Sequence, residues 1–414
     1  MFNNKNSKEE LTKTLVRMFS LHPKLIDFNL SRIKLLLDKF DNPHNKLNKV
    51  IHIAGTNGKG STASFLRSLL EAHGLSVNVY TSPHLINFNE RIRIKGQLIT
   101  NQMLINILNE IEIKNNKQPI TFFEITTIAA LISFFRNQAD VNIIETGLGG
   151  RLDATNVIDH KKLCLITKIG YDHTEYLGKT ITSITKEKAG ILRENIPLII
   201  AKQNKTKVLQ TLHSISDKIG AKIINRINLS KNYNLGLKGS HQYENASVAY
   251  TASSLLIPKI RISKTSLGLT NTNWHGRLEE INNGNIVKYR NNITLLDGTH
   301  NKDGAIAINK YLKENSLKSW NMIIGILNNR DLKKIVSCFK QYINVAYTIP
   351  IKDQISSSDP YKMSQELKEI GLDAFPDISF KNALIKSDRE IPLLIIGSLY
   401  LVGEVLAFNN TTIK

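Results

Sequence analysis

Short apolar runs alternate with longer segments of helical periodicity along most of this chain. The clearest unit joins an apolar run at residues 50–54, a glycine-rich turn at 55–60 and an amphipathic segment at 61–73. Further strands are predicted at 77–81, 141–144, 163–169 and 198–201, and further helices at 124–137, 183–193 and 205–219. Strands that alternate with helices predict a mainly parallel sheet covered on both faces.

Predicted helices precede this α/β series, and a second α/β series follows it. The first forty residues predict two short amphipathic helices, which a break at His22 and Pro23 separates. At the other end, the polar, Asn- and Gly-rich stretch 271–289 precedes a second, shorter α/β series. Its strands are predicted at 293–296, 322–326, 345–349 and 393–396, and its helices at 305–313, at 332–342 and after the last strand. We therefore expect two α/β domains with a ligand cleft between them.

The length and composition agree with this division. At 414 residues the chain exceeds the roughly 250–300 residues at which a single core stops growing. Hydrophobic residues make up 41% and charged residues 22%, which excludes a disordered chain. No apolar run approaches the roughly 18 residues of a membrane span, and the start lacks a signal-peptide pattern, so we expect a cytoplasmic protein. Cys164 and Cys338 lie in apolar contexts and predict buried thiols.

The net charge of +20 leaves three explanations open. A nucleic-acid partner, an anionic small-molecule substrate and a biased coding composition would each produce such an excess of Lys and Arg. The basic residues are dispersed, and no helix-turn-helix, zinc or RNA-binding motif accompanies them. We therefore expect no nucleic-acid partner, although the charge alone does not decide the question.

A strand and a helix flank the segment GTNGKGST at residues 55–62. Glycines let backbone N–H groups turn inward, the helix N-terminus adds partial positive charge, and Lys59 can reach terminal phosphates. A hydroxyl of Ser61 or Thr62 can support Mg²⁺. The segment departs from the usual phosphate-loop pattern because Gly60 separates the lysine from Ser61. The competing interpretation is a glycine turn with an exposed lysine, but the flanking strand and helix favour a phosphate-binding loop.

Three polar residues follow different predicted strands. Ser82, Glu145 and His173 each come after the carboxyl end of a strand, and in parallel sheets these ends share one edge with the phosphate loop. A hydroxyl, a carboxylate and an imidazole near a triphosphate form a Mg²⁺ site, although Mg²⁺ prefers oxygen. Taken singly, the three residues would be interpreted as a turn residue, a capping carboxylate and a loop histidine.

The motifs together resemble a known family. They are GTNGKGST, TSPHLINFNERIRI, FFEITTIAAL, IETGLGGRLDATN, DHTEYLG and KEKAGI, followed by SHQYENASVA, HGRLEEI, LLDGTHN and GSLYLVGEVL. Over about residues 20–405 the chain resembles bacterial folylpolyglutamate synthases of the Mur ligase superfamily, which often act as dihydrofolate synthases as well. The resemblance implies an N-terminal P-loop ATPase-like domain at 1–271 that binds ATP and folate, a linker at 272–276, and a smaller Rossmann-like α/β domain at 277–414.

The resemblance also implies roles for individual residues. The phosphate loop is implied to comprise Asn57, Gly58, Lys59, Gly60 and Ser61, and further ATP contacts are implied at Asn245, Arg277, Asp297 and His300. The implied magnesium ligands are Ser82, Glu145 and His173, and the implied catalytic residues are Lys59, His173 and Lys188. The implied contacts with the pterin-bearing substrate are Thr121, Phe122, Phe123, Glu124, Leu152, Asp153 and Ala154.

Lys188 and one later segment need separate comment. Lys188 matches a lysine that is carbamylated in this family and helps hold a second metal, whereas the bare sequence would predict an ordinary helical lysine. Near Leu327 the family usually has an acidic residue and a lysine before an aspartate, but this chain has the run NNRD at 328–331. The aromatic pair at 122–123 equally fits the end of a core strand.

The implied reaction uses ATP, L-glutamate and dihydropteroate or reduced folates. The substrate carboxylate would form an acyl phosphate, and the glutamate amine would then displace phosphate. We expect a monomer with two Mg²⁺ sites. A nucleotide switch, a nucleic-acid-stimulated ATPase and a Mur-type cell-wall ligase are the alternatives. The sequence leaves open which of the two pterin substrates is used.

Overall fold

The structure is a computed structural model that describes residues 2–21, 27–315 and 319–413. The predicted break at His22 and Pro23 lies outside these residues. Among the described residues, no helix is both long and apolar enough to cross a membrane.

The first α/β unit is built on an eight-stranded sheet. Its strands are β1 (Val50–Ala54), β2 (Val77–Tyr80), β3 (Ile92–Ile94), β4 (Gln97–Leu98), β5 (Val141–Glu145), β6 (Leu163–Ile166), β7 (Pro197–Ile200) and β8 (Lys222–Ile224). They lie in the order β4-β3-β2-β5-β1-β6-β7-β8. β3 and β4 pair antiparallel at one edge, and the other six strands are parallel. The carboxyl ends of these six strands therefore share one edge, as expected.

Helices cover both faces of this sheet. They are α1 (Phe2–Phe19), α2 (Ser31–Asp38), α3 (Lys59–Ala72), α4 (Asn101–Asn115), α5 (Phe122–Arg136), α6 (Thr174–Leu177), α7 (Ile181–Ala189), α8 (Thr206–Ile219), α9 (Gln242–Ser254) and α10 (Ile262–Thr270). Residues of α3, α9 and α10 pack in one apolar cluster, whereas α1, α2, α4 and α5 pack in another. The β1 strand is buried along its whole length, because it lies at the centre of this sandwich.

The second unit has a six-stranded sheet in the order β13-β12-β11-β14-β10-β9. Its strands are β9 (Glu279–Glu280), β10 (Thr294–Asp297), β11 (Trp320–Ile324), β12 (Ile343–Thr348), β13 (Ala374–Pro376) and β14 (Leu393–Ile396). Its helices are α11 (Lys302–Glu314), α12 (Leu332–Val336), α13 (Pro360–Glu369), α14 (Phe380–Lys386) and α15 (Leu399–Phe408). The predicted linker 272–276 lies between the end of α10 and the start of β9.

Several predicted elements end earlier than the pattern indicated. The strand predicted at 163–169 stops at Ile166, because the chain leaves the sheet and the Lys168 carbonyl accepts bonds from the N–H groups of Thr56 and Asn57 at 2.9 and 3.1 Å. The helix predicted at 332–342 ends at Val336. Beyond it the chain tightens into turns that bury the Phe339 ring.

The periodicity missed the helix α9 because its buried positions surround the whole helix instead of forming one stripe. Many of these positions are polar. The Ser247 hydroxyl donates to the Tyr243 carbonyl at 2.7 Å, and the Thr251 hydroxyl donates to the Ser247 carbonyl at 2.7 Å. Such local bonds satisfy hydroxyls inside the protein, so a polar sequence can form a buried helix.

Candidate functional site

The loop predicted to bind phosphate, called the phosphate loop below, lies between β1 and α3. Gly58 has φ +89° and α3 begins at Lys59, two residues before the predicted start at Ser61. The first N–H groups of a helix have no partner within the helix, so those at the start of α3 are available to phosphate oxygens. The loop thus has the geometry of an anion site.

The additional glycine of the loop has a packing reason. A Cβ atom at Gly60 would lie 2.7 Å from the Trp274 ring, and one at Gly58 would lie 2.4 Å from Asn245 Oδ1. Both positions therefore require the absence of a side chain. Trp274 belongs to the segment between the two sheets, so the phosphate loop packs directly against the connection to the second unit.

Lys59 and Glu145 face each other at the carboxyl edge of the first sheet. Lys59 Nζ lies 3.8 Å from Glu145 Oε1, and only 5% of the Glu145 side chain is exposed. Burial raises the pKa of Glu145 to about 7, although the charge of Lys59 and the backbone N–H of Ser82 favour its ionised form. Its second oxygen, Oε2, is buried and has no hydrogen-bond partner in the described part of the chain. An unpaired buried carboxylate oxygen suits a cation.

Asp172 joins the two units of the protein. Its Oδ1 accepts a hydrogen bond from Arg330 Nη1, and its Oδ2 lies 3.2 Å from His300 Nε2 and 3.2 Å from Asn301 Nδ2. Asn301 Nδ2 also donates to Asn57 Oδ1 of the phosphate loop at 3.1 Å. Burial opposes ionisation of Asp172, but its partners hold its pKa well below the usual range.

His173 follows Asp172 and lies between charged groups. Its backbone has φ +50°, and its Nε2 lies 3.8 Å from Asp172 Oδ1. Burial lowers its pKa, and the nearby charges of Arg330 and Lys59 lower it further, against the opposite effect of Asp172. A neutral imidazole is the form that binds metals.

Lys188 lies in the interior. It is 4% exposed, and its Nζ donates to the Gly55 carbonyl at 2.9 Å. Burial lowers the pKa of Lys188 to about 7, and the charge of Lys59 acts in the same direction. The residue is therefore not a solvent-exposed helical lysine, and a large fraction of it is neutral near pH 7.

In the second unit, Asp297 ends β10 and its carboxylate accepts bonds from the backbone N–H groups of Leu278 at 2.7 Å and Thr299 at 2.8 Å. Asp297 thus fixes the turn that carries His300. Arg277 lies beside this turn, since a Cβ atom at Gly298 would approach its Nη1 to 2.9 Å.

The residues predicted to contact a pterin group lie at the start of α5 and in the loop after β5. Thr121 caps α5 reciprocally with Glu124, so the aromatic pair lies in the first helical turn and not at a strand end. The ring of Phe123 stacks on Tyr80 with centroids 6.2 Å apart. Phe122 contacts other rings, Phe19 and Phe88.

Two carboxylates among these residues have protein partners. Arg32 Nη2 lies 3.3 Å from Glu124 Oε2, and Glu124 Oε1 is buried without a hydrogen-bond partner among the described residues. Asp153 accepts a bond from the Leu148 N–H at 2.8 Å. Leu152 and Ala154 flank it in the same loop and the following short helix.

Sequence reasoning did not identify Asp172, Asn301, Arg330 and Trp274 as site residues. Only the unusual run at 328–331 indicated that Arg330 differs from the family pattern. The described residues contain no group of three or more His, Cys, Asp or Glu side chains that would hold a metal alone. A cation here would need the Ser82 hydroxyl and phosphate oxygens beside Glu145 and His173, and this oxygen-rich set fits Mg²⁺.

Two sequence profiles match the chain. Residues 53–253 match the Mur ligase middle domain, and residues 280–408 match the dihydrofolate synthetase C-terminal domain. Among curated relatives, the dihydrofolate synthetase of Saccharomyces cerevisiae is 31% identical over 94% of this chain and 99% of its own. The dihydrofolate synthase/folylpolyglutamate synthase of Bacillus subtilis is 30% identical over 91% of this chain and 94% of its own.

Solved structures of proteins with the same names also resemble this chain. E. coli FolC in complex with DHPP and ADP has a TM-score of 0.85 and 27% identity, over 96% of this chain and 97% of that chain. The bifunctional folylpolyglutamate synthase/dihydrofolate synthase from Yersinia pestis, complexed with AMPPNP and Mn ion, has a TM-score of 0.83 and 26% identity over the same shares.

Proposed function

Because the chain belongs to the dihydrofolate synthase/folylpolyglutamate synthase family, it is an ATP-dependent ligase, and we propose that it joins L-glutamate to dihydropteroate, reduced folates or both. The observation that carries this proposal is the contact between the two units at the phosphate loop. There Lys59 faces the buried carboxylate of Glu145, and Asn57 bonds to Asn301 of the second unit. A site of this kind can hold a nucleotide and keep water away from a reactive intermediate.

The reaction proceeds through an acyl phosphate. A carboxylate is a poor acylating agent, so the substrate carboxylate attacks the γ-phosphorus of ATP and ADP leaves. The amine of L-glutamate then attacks the acyl carbon, phosphate leaves with the C–O electron pair, and the amine loses a proton as the amide forms. Lys59 and the N–H groups of α3 offset charge on the transferring phosphoryl group. A divalent cation held by Ser82, Glu145 and His173 would add positive charge there when bound.

We also propose that Lys188 carries a carbamate. A neutral amine adds to CO₂ and releases one proton, and the buried Lys188 with a pKa near 7 supplies that amine. The product is an anion that would help bind a second Mg²⁺. Lys188→Ala should be nearly inactive and partly restored by a short-chain carboxylic acid, whereas Lys188→Arg should stay inactive. An active Lys188→Arg enzyme would contradict the carbamate.

The proposed subsite for the pterin group lies at Phe123 and Asp153. The Phe123 ring approaches the loop that follows β5, because a Cβ atom at Gly147 would lie 2.3 Å from it. Asp153 N-caps the short helix that follows and accepts a bond from the Leu148 N–H, which fixes the loop. We propose that a planar heterocycle stacks on this aromatic position, with the other predicted contacts around it.

The experiment that tests the function measures ADP release with L-glutamate plus either dihydropteroate or tetrahydrofolate, followed by the mass of the product. Addition of one glutamyl unit to either acceptor supports the proposal and identifies the acceptor. ADP release that depends on nucleic acid, or on a nucleotide sugar in place of both acceptors, would refute it. We also propose a monomer, which light scattering would test.

A further inference from the structure

A chain of hydrogen bonds runs from the central strand of the first sheet to the loop after β5. His52 lies in the middle of β1, and its Nε2 lies 2.8 Å from Thr155 Oγ1. The Thr155 hydroxyl is in turn bonded to Asp153 Oδ1. His52 and Thr155 are both 0% exposed and Asp153 is 4% exposed, so water does not compete for these bonds. The chain therefore joins β1 to this loop through the interior of the protein.

The carboxylate of Asp153 sets the direction of the chain. Its Oδ2 accepts the Leu148 N–H at 2.8 Å, and its Oδ1 accepts the Thr155 N–H at 3.0 Å. Burial raises the pKa of Asp153, and the bonds from Thr155 and from the backbone act against this effect. An ionised carboxylate can only accept hydrogen bonds, so the hydroxyl proton of Thr155 points to Asp153. The Thr155 oxygen is then free to accept the proton of His52 Nε2.

His52 consequently carries its proton on Nε2. Its Nδ1 is buried and has no hydrogen-bond partner in the described part of the chain. Burial lowers the pKa of His52 well below its ordinary range, and the charges of Lys161 and Arg193 act in the same direction, so the ring is neutral. A buried polar atom without a partner destabilises a fold relative to an apolar side chain. Stability alone therefore does not explain a histidine at this position.

Asp153 fixes the part of the loop that the proposed pterin subsite uses. Its bond to the Leu148 N–H holds the peptide that joins Gly147 to Leu148. Gly147 abuts the Phe123 ring, and both Gly147 and Leu148 are partly accessible, unlike Asp153 beneath them. A displacement of Asp153 would therefore move one wall of this subsite.

The same strand also carries the phosphate loop. His52 precedes Gly55 by three residues of extended chain, or about 10 Å. The acyl phosphate can form only when the substrate carboxylate meets the γ-phosphorus of ATP within a few ångströms. A bond from β1 to the loop after β5 would keep the two subsites at a fixed separation.

We propose that His52 and Thr155 are positioning residues that hold Asp153, and with it the loop 147–155, in the register that the pterin-bearing substrate requires. This inference rests on the proposed ligase function and its pterin subsite. Neither side chain reaches the substrate, because both are fully buried. They act through Asp153, so they should affect the acyl substrate and not ATP.

The first test compares Thr155→Val with Thr155→Ser in steady-state kinetics. Valine keeps the shape of threonine but removes the hydroxyl, and KM for the acyl substrate should rise about tenfold, with KM for ATP unchanged. Serine keeps the hydroxyl and should keep KM near the wild-type value, although the lost methyl group lowers Tm. If KM rises equally in both variants, packing and not the hydroxyl is responsible, and the proposal is wrong.

A double-mutant cycle tests whether the residues act as one chain. His52→Phe keeps a ring at this position but removes the donor, and it should raise KM for the acyl substrate by a smaller factor than Thr155→Val. The double variant should show no larger increase than Thr155→Val alone, because the histidine then has nothing to orient. Factors that multiply in the double variant would mean that the two residues act independently.

A matched control comes from α9. Thr251 is 1% exposed, its hydroxyl accepts the Ile227 N–H at 2.9 Å and donates to the Ser247 carbonyl at 2.7 Å. Thr251→Val therefore removes a buried hydroxyl that makes two bonds, as Thr155→Val does. It should lower Tm in the same way and leave KM for the acyl substrate unchanged. An equal rise in KM would show that any loss of stability produces the effect.

Nitrogen NMR separates this inference from the proposed function. The ¹⁵N shifts of His52, identified by their absence in His52→Phe, should show the proton on Nε2 in the wild-type protein and a mixed tautomer in Thr155→Val. A proton on Nδ1 in the wild type would overturn the chain whatever the enzyme does. A wild-type protein that adds glutamate to neither acceptor, but has the expected tautomer, would instead refute the ligase function.

Discussion

Replacement of Arg330 by alanine tests whether the Asp172 cluster holds the two α/β units together. The side chain of Asp172 is 6% exposed and that of Arg330 is 14% exposed, so the pair is largely shielded from water. Removal of one partner from a buried ion pair costs about 3–5 kcal/mol. Since His300 and Asn301 would still contact Asp172, we expect the lower end of this range, about 3 kcal/mol.

This loss should weaken the closed arrangement, in which Arg330 of the second unit contacts Asp172 of the first. It should not unfold either unit. The Arg330 bond crosses from the second unit to the loop after β6, whereas the sheets have separate cores. A loss of about 3 kcal/mol corresponds to roughly a hundredfold in kcat/KM for ATP, if the closed arrangement is the reactive one. The radius of gyration by small-angle scattering, with a non-hydrolysable ATP analogue bound, should increase.

Two further variants test whether the effect comes from the charge and position of Arg330. Arg330→Lys keeps the charge and should lose less than the alanine variant. Arg17→Ala removes an ion pair with Glu112 inside the first unit, where both side chains are substantially exposed, and should change neither ADP release nor the radius of gyration. If Arg330→Ala keeps wild-type ADP release and the wild-type radius, the cluster does not control closure.

Other changes test the rest of the site. Lys59→Ala should lower kcat for ADP release by about a hundredfold or more, because it removes a charge aimed at the phosphoryl group, and a near-normal rate would contradict this role. Glu145→Gln should raise the Mg²⁺ concentration that gives half-maximal activity by a larger factor than it raises KM for folate. An unchanged Mg²⁺ dependence would mean that Glu145 is only a packing residue. Lys188 has a folded-state pKa of about 7 against 10.5 when unfolded, so the unfolded chain binds more protons between these values and stability rises with pH. Relative to wild type without CO₂, Lys188→Met should therefore gain more in Tm at pH 7 than at pH 9.5.

The sequence predicted the strand, glycine turn and helix of the proposed phosphate loop, and the carboxyl edge of the sheet, because both depend on local patterns. A buried strand, glycines and a helix follow each other within 50–73, and a polar residue after each strand indicates the carboxyl edge. Glu145 is the last residue of β5 and Ser82 comes two residues after β2, as expected. His173 lies seven residues beyond β6, so its position depends on a loop that periodicity does not describe.

The partners of Asp172 could not be predicted in the same way. Arg330 is 158 residues away in the chain, and the contact exists only because two separately folded units meet. For Lys188, the local sequence pattern does make a prediction, but that prediction is wrong. The last turn of α7 predicts an exposed lysine, but the helix packs against the phosphate-loop strand and directs Nζ to the Gly55 carbonyl. Tertiary packing, and not helical propensity, decides the environment of such a side chain.

The charges at the carboxyl edge of the first sheet, where the second unit contacts it, indicate how ligand binding and closure of the two units are coupled. Lys59 and Arg330 are cations whose charges both act on His173, while Glu145 has a pKa raised to about 7 by burial and Asp172 is already shared with the second unit. Anionic reactants are therefore needed to balance the positive charge that closure brings together. A ligand that binds the closed arrangement more tightly also stabilises it, by the same free energy. ATP would thus favour the arrangement in which the second reactant meets the acyl phosphate away from water.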